Sequence, residues 1–215
     1  MFRRRGKPPV LAAISAAPAP GEARPGNTLR RADFEALGAL LAKLDGSRAV
    51  LVTGGEEGKR GAALGLAAAA TAAGRRTALL ECDLGRPALA GALGLAPAPG
   101  LHEYLRWEAS APQILQPAVL AGPASGGAIA PLVCVVAGAP TPNSATLLAS
   151  EGFRHAAAKL RSAYDLLVVD GPPAGRGEKS LRAVADQADA TLACLGPSEA
   201  FKRLPVPVAG LIQRS

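Results

Sequence analysis

The chain has 215 residues and a formal net charge of +7, with 49% of its residues apolar and only 3% aromatic. That length can bury a two-faced sheet without a disulfide or metal staple. The three cysteines, Cys82, Cys134 and Cys194, are odd in number, far apart and set in apolar runs. They exclude a disulfide framework and a Cys-x-x-Cys metal site, and predict buried free thiols in a reducing compartment.

In chain order, residues 1–27 are rich in Pro, Gly, Ala and Arg without a period. They read as a flexible basic leader carrying Arg3, Arg4, Arg5 and Lys7, with an apolar run, Val10–Ala17, too short for a signal peptide. No aromatic residues interleave with the basic ones, so no nucleic-acid partner is expected. Residues 28–215 read as one domain. Phe34, Leu37, Leu40, Leu41 and Leu44 have helical spacing, closed by Gly46. Ala49–Val52 reads as a buried strand, Gly54–Gly58 as a loop, and Lys59–Ala73 as a helix ended by Gly74. The apolar stretch Ala62–Ala73 is mostly alanine and too short to span a bilayer. Thr77–Cys82 is a second strand, and Leu101–Trp107 begins helical. Residues 121–130 read as a surface loop, Leu132–Val136 as a strand, Leu147–Leu160 as an amphipathic helix and Leu166–Val169 as a strand ending in Asp170. Leu181–Gln187 is a helix, Ala190–Leu195 a strand, and Val206–Ile212 a final short strand. The stretch between Gly196 and Pro205 leaves room for only a very short last helix, unless the final strand is not a parallel neighbour. Strands that are continuous apolar runs, alternating with helices, predict an α/β three-layer sandwich around a mostly parallel sheet.

The segment Val50-Leu-Val-Thr-Gly-Gly-Glu-Glu-Gly-Lys59 lies between a strand and a helix, the context of a P-loop. Its glycines turn backbone N–H groups inward and the helix N-terminus favours anions. Lys59, expected solvent-facing at the helix start, would reach the β- and γ-phosphates. Against Gly-x-x-x-x-Gly-Lys-[Ser/Thr], Thr53 replaces the first glycine and Arg60 the last hydroxyl. That hydroxyl ordinarily ligates Mg²⁺. An arginine cannot, although it can supply fixed positive charge. Leu79-Leu-Glu-Cys-Asp83 places Glu81 and Asp83 at a strand's carboxyl end, where ligands of open parallel sheets bind. Leu166-Leu-Val-Val-Asp170 repeats that logic as a Walker B-like element.

With these residues, Glu81-Cys-Asp-Leu-Gly-Arg-Pro87, Gly100-Leu-His-Glu-Tyr-Leu105, Ala137-Gly-Ala-Pro-Thr-Pro-Asn143 with Leu147, Leu148, Ser150 and Glu151, and Tyr164-Asp165 before Asp170-Gly-Pro-Pro173, the chain resembles the bacterial tyrosine kinase (BY-kinase) family from about Ala49 to Asp189. That family is the cytoplasmic P-loop ATPase domain of polysaccharide co-polymerase systems, on the MinD/ParA-like branch of the P-loop NTPase fold. The resemblance implies an ATP-dependent protein-tyrosine kinase regulating exopolysaccharide or capsule synthesis and export. It implies an ATP/ADP site lined by Gly54, Gly55, Glu57, Gly58, Lys59, Arg60 and Gly61, and Mg²⁺ organised by Asp83 and Asp170. Glu81 stands where the family has an Asp proposed to help activate the attacking tyrosine. The implied partner is a membrane-spanning chain-length regulator that holds the chain at the inner face of the cell membrane, with a homo-oligomer as a further possibility.

The sequence also departs from the family. Arg60 removes the Mg²⁺ hydroxyl, Glu56 stands in place of a glycine, and Tyr104 and Tyr164 are the only tyrosines, with no tyrosine cluster before Ser215. Arg30, Arg31 and Glu35 match the family's oligomerising helix only in part. These features favour a non-catalytic adaptor, whereas Glu81, Asp83 and Asp170 favour retained chemistry. A MinD/ParA-like positioning ATPase would carry a signature lysine where Gly54 stands.

Overall fold

The computed structural model describes residues 7–15, 31–118, 132–175, 177–196 and 204–214. Its centre is a sheet of 8 strands in the order β1-β8-β7-β2-β6-β3-β5-β4. The four strands that carry the phosphate-loop and acidic motifs or flank them are β2 (Ala49–Gly54), β3 (Thr77–Glu81), β6 (Leu166–Asp170) and β7 (Ala190–Leu195). They lie side by side and parallel, with β5 (Leu132–Val135) beyond β3. The continuous apolar runs that predicted these strands are buried on both sides. Val50, Val52, Leu79 and Val168 face one core, and Leu51, Leu80, Leu167 and Val169 the other. This two-residue alternation is the strand period, with both faces covered.

One face is covered by α1 (Arg31–Lys43) and α2 (Glu56–Ala72). Ala62, Ala63, Leu66, Ala67 and Ala70 of α2 are fully buried there. Small side chains let this helix approach the strands closely, so the alanine content goes into tight packing. Leu89 of α3 (Leu89–Leu93) joins the same core. The opposite face holds α4 (Leu101–Leu105), α5 (Ala111–Ile114), α6 (Ser144–Leu148), α7 (Glu151–Ala163) and α8 (Glu178–Ala185), through Leu101, Ile114, Leu148, Phe153, Leu181 and Val184. The three cysteines are buried thiols.

Several expectations are corrected. Part of the segment read as a leader, Val10–Ile14, forms the edge strand β1, parallel to β8 (Gly210–Arg214). Ala12 and Ile14 are buried against α1, and the Ser15 amide donates to Asp33 at 2.8 Å. β8 is a parallel neighbour of β7, and it begins later than the strand expected at Val206. The helix expected over Leu147–Leu160 is two helices, because the Ser150 hydroxyl accepts the Phe153 amide at 3.2 Å and starts α7 afresh. A short antiparallel edge strand, β4 (Gln116–Ala118), was not anticipated. It contains Pro117, which an edge strand tolerates. The loop expected at 121–130 and the basic residues Arg3–Arg5 lie outside the described residues.

Candidate functional site

The motifs meet at the carboxyl ends of the central strands. Asp170 closes β6, and its neighbours in register are Val52 of β2 and Glu81 of β3. Asp170 and Glu81 continue the alternation that faces α2, so both carboxylates point beneath the helix that carries Lys59. Asp83 lies two residues beyond β3. Lys59, Asp83 and Asp170 therefore cluster at one sheet edge.

The phosphate loop is much tighter than expected. β2 remains paired with β7 through Gly54, opposite Cys194, and α2 begins at Glu56 after the single residue Gly55. Gly54 has φ 144°, and a Cβ there would strike the Cys194 carbonyl oxygen. Its glycine thus serves the approach of two strands. The expected loop over Gly54–Gly58 is not formed, and the helix expected from Lys59 starts three residues earlier. Thr53 is buried and donates its hydroxyl to the Pro172 carbonyl at 2.7 Å, binding the end of β2 to the segment after β6. Gly58 lies under the Arg214 side chain, which a Cβ would displace. Arg214 is a member of this corner that the sequence reading did not name, and its position at the far end of the chain offered no signal. Gly61 has open space around it. Glu57 lies in the first turn of α2, and its side chain is outside the described set.

Lys59 is not solvent-facing: its side chain is 0% exposed. Its ammonium donates to Asp170 Oδ1 at 2.8 Å and lies 3.4 Å from Asp83 Oδ2. Asp170 is 1% exposed and Asp83 12%. Burial pushes the Asp170 carboxyl above the usual carboxylate range, against the pull of Lys59 and then Arg60. Arg60, 29% exposed, brings Nε to 3.8 Å from Asp170 Oδ2, too long for a hydrogen bond. Among the described residues, neither of those two buried atoms has a hydrogen-bond partner.

Glu81 is engaged in another way. Its Oε1 accepts the amides of Ala88 and Leu89 at 2.7 and 2.9 Å, and Oε2 accepts that of Ala137 at 3.0 Å. A carboxylate fully buried and held by three amides ties β3 to α3 and to the end of β5. The three amides fix the carboxylate at the exit of β3. Glu103 does similar work next door, accepting from Gly100 and Ala139 at 2.7 and 2.9 Å. The Gly100–Leu105 and Ala137–Asn143 motifs are thereby bound to one another. Burial, and then the nearby carboxylates, push the neighbouring Cys82 thiol well up.

Mg²⁺ bound with a phosphate chain needs the loop hydroxyl and free carboxylate oxygens. The hydroxyl's place is held by Arg60; Asp83 Oδ2 and Asp170 Oδ1 turn to Lys59, and Asp170 Oδ2 faces Arg60 Nε at 3.8 Å. Among the described residues, no group of three or more His, Cys, Asp or Glu side chains is placed to hold a metal ion. As arranged here, with Lys59 and Arg60 set against Asp83 and Asp170, the residues present do not fit Mg²⁺.

The fold and the strand-edge cluster define a P-loop NTPase-type α/β protein. In fold it is similar to the Pyrococcus furiosus cell division ATPase MinD, with TM-score 0.52 and 19% identity over 70% of this chain and 60% of that one. The likeness extends much further to the bacterial tyrosine kinase domains, which bears out the resemblance read from the motifs. The kinase domain of Escherichia coli tyrosine kinase ETK matches with TM-score 0.77 and 18% identity, over 95% of this chain and 89% of that one. The VpsO kinase domain matches with TM-score 0.65 and 26% identity, over 76% and 77% of the two chains. No family model and no curated protein matches the chain. The chain is a tyrosine-kinase-like P-loop protein. No helix among the described residues is long and apolar enough to cross a membrane.

Proposed function

We propose that this chain has kept the kinase fold but lost phosphoryl transfer, and serves as the cytoplasmic adaptor of a membrane-spanning polysaccharide chain-length regulator in exopolysaccharide or capsule export. The observation that carries the reading is the fully buried Lys59, held by Asp170 at 2.8 Å with Asp83 at 3.4 Å. A phosphate-binding lysine acts through a free ammonium, and this one is neutralised within the protein. Glu81 is fully buried and its carboxylate is held by three amides, which works against its reaching a substrate hydroxyl. In this reading ATP or ADP meets the start of α2 weakly, at Gly55, Gly58, Arg60 and Gly61, and the partner contributes the tight contact. The active-kinase reading draws on Glu81, Asp83 and Asp170 surviving together at one strand edge.

The test is incubation with Mg²⁺, ATP and the regulator's cytoplasmic tail, scored for phosphotyrosine and ADP release. Neither is expected above the level of Lys59→Ala, while the tail co-purifies with the chain. Turnover that requires Lys59 overturns the reading.

A further inference from the structure

We infer that Arg60 is the resident cation of this site: its guanidinium takes the place a divalent metal ion holds in a working P-loop protein, so a side chain of the protein itself closes the site to Mg²⁺. The inference rests on the reading that the phosphate site is disabled and names the device that disables its metal half. Asp170 is 1% exposed, yet one of its oxygens, Oδ2, is without a hydrogen-bond partner among the described residues. A buried, unpartnered carboxylate oxygen calls for a cation. The group facing it is Arg60 Nε at 3.8 Å, itself buried and unpartnered. Arg60 directly follows Lys59, at the position whose hydroxyl would otherwise hold the metal.

Two carboxylates, Asp83 and Asp170, here face two cations, Lys59 and Arg60. An incoming divalent ion would be desolvated and would meet repulsion from both cations. The carboxylates' attraction is already spent on them. Arg214, lying across Gly58, adds positive charge at the same end of α2. Arg60 is 29% exposed, so its removal opens the site to solvent.

The experiment uses Mn²⁺ alone as the probe, followed by the electron paramagnetic resonance signal of the free ion. The wild type is expected to leave that signal unchanged. Arg60→Ser and Arg60→Ala should bind Mn²⁺ at least about tenfold more tightly, and adding Asp170→Asn to Arg60→Ser should remove the gain. Arg60→Lys, which keeps the charge, should stay closed. A wild type that binds Mn²⁺ as tightly as Arg60→Ser overturns the inference, as does binding by Arg60→Ser that ignores Asp170→Asn. If circular dichroism shows Arg60→Ser unfolded, calorimetry of ADP on the wild type decides: equal affinity in Mg²⁺ and in EDTA supports the inference, and stimulation by Mg²⁺ overturns it. An inactive wild type that binds Mn²⁺ refutes only the role of Arg60. Turnover persisting in EDTA refutes only the loss of phosphoryl transfer.

Discussion

The two ends of the central sheet both carry acids paired with bases, under opposite conditions. At the carboxyl ends, Asp170 is buried with Lys59 and Arg60, and burial raises its carboxyl. At the amino ends, Asp165 and Asp189 each stand one residue before a strand. Asp189 accepts the Arg48 and Ala49 amides at 2.8 and 2.9 Å and pairs with Arg161 at 2.6 Å. Burial raises the Asp189 carboxyl too, but the two amides and Arg161 outweigh it and hold it below its usual value. Asp165 accepts from the Arg76 amide and guanidinium and titrates at about 2. The same chemistry latches strand starts in one place and strains against burial in the other. Ionised Asp170 weighs against folding above its unfolded pKa, whereas ionised Asp165 and Asp189 favour it.

The contrast breaks most visibly at Asp170. Asp170→Asn removes the charge opposite a fully buried ammonium, and chemical denaturation should show a loss of about 3 kcal/mol. Asp83 keeps the loss at that lower level. The double variant Lys59→Met with Asp170→Leu, which removes both charges, should recover most of it. If the double variant is no better than the single, the buried pair stabilises the fold and the contrast is wrong.

At the other end, Asp189→Asn should cost about 1–2 kcal/mol by the same measurement, since the Asn oxygen can still accept both amides, which share Oδ2, and the charged partner of Arg161 is lost. A loss equal to that of Asp170→Asn would erase the distinction between latch and buried cluster.

The smallest effect belongs to the exposed pair. Asp165 has a folded pKa of about 2, below its ordinary 3.8, so its contribution is present above the unfolded value and lost as pH falls through about 2. In Arg76→Ala the Asp165 carbon resonance, followed by NMR, should titrate nearer 3.8, with almost no change in stability at neutral pH. An unshifted titration would assign the depression to the Arg76 backbone amide alone.

Much of the site was legible because it is written locally. Apolar runs ending in Glu81 and Asp170 identified strands and the acids at their exits, and the Gly-rich stretch before Lys59 marked a strand-to-helix turn. What those groups touch was not written there. Lys59 was expected in solvent because helix starts usually face it. That expectation failed on a long-range contact, with Asp170, and the hold of the Ala137 amide on Glu81 is likewise long-range.

The sequence by itself determined the alternation of strand and helix, the parallel central sheet, the buried thiols and the convergence of three motifs on one edge. Each follows from residue periodicity and from the rule that parallel strands present their carboxyl ends together. Only the tertiary structure decided that Val10–Ile14 is a strand, because an edge strand forms by pairing, and its partner β8 lies at the opposite end of the chain. It also decided that the loop is a one-residue turn, because the length of β2 depends on how far β7 continues beside it. The closure of Lys59, Arg60, Asp83 and Asp170 on one another was settled there too, since a charge becomes a partner or a ligand only when packing fixes its distance and removes the water between.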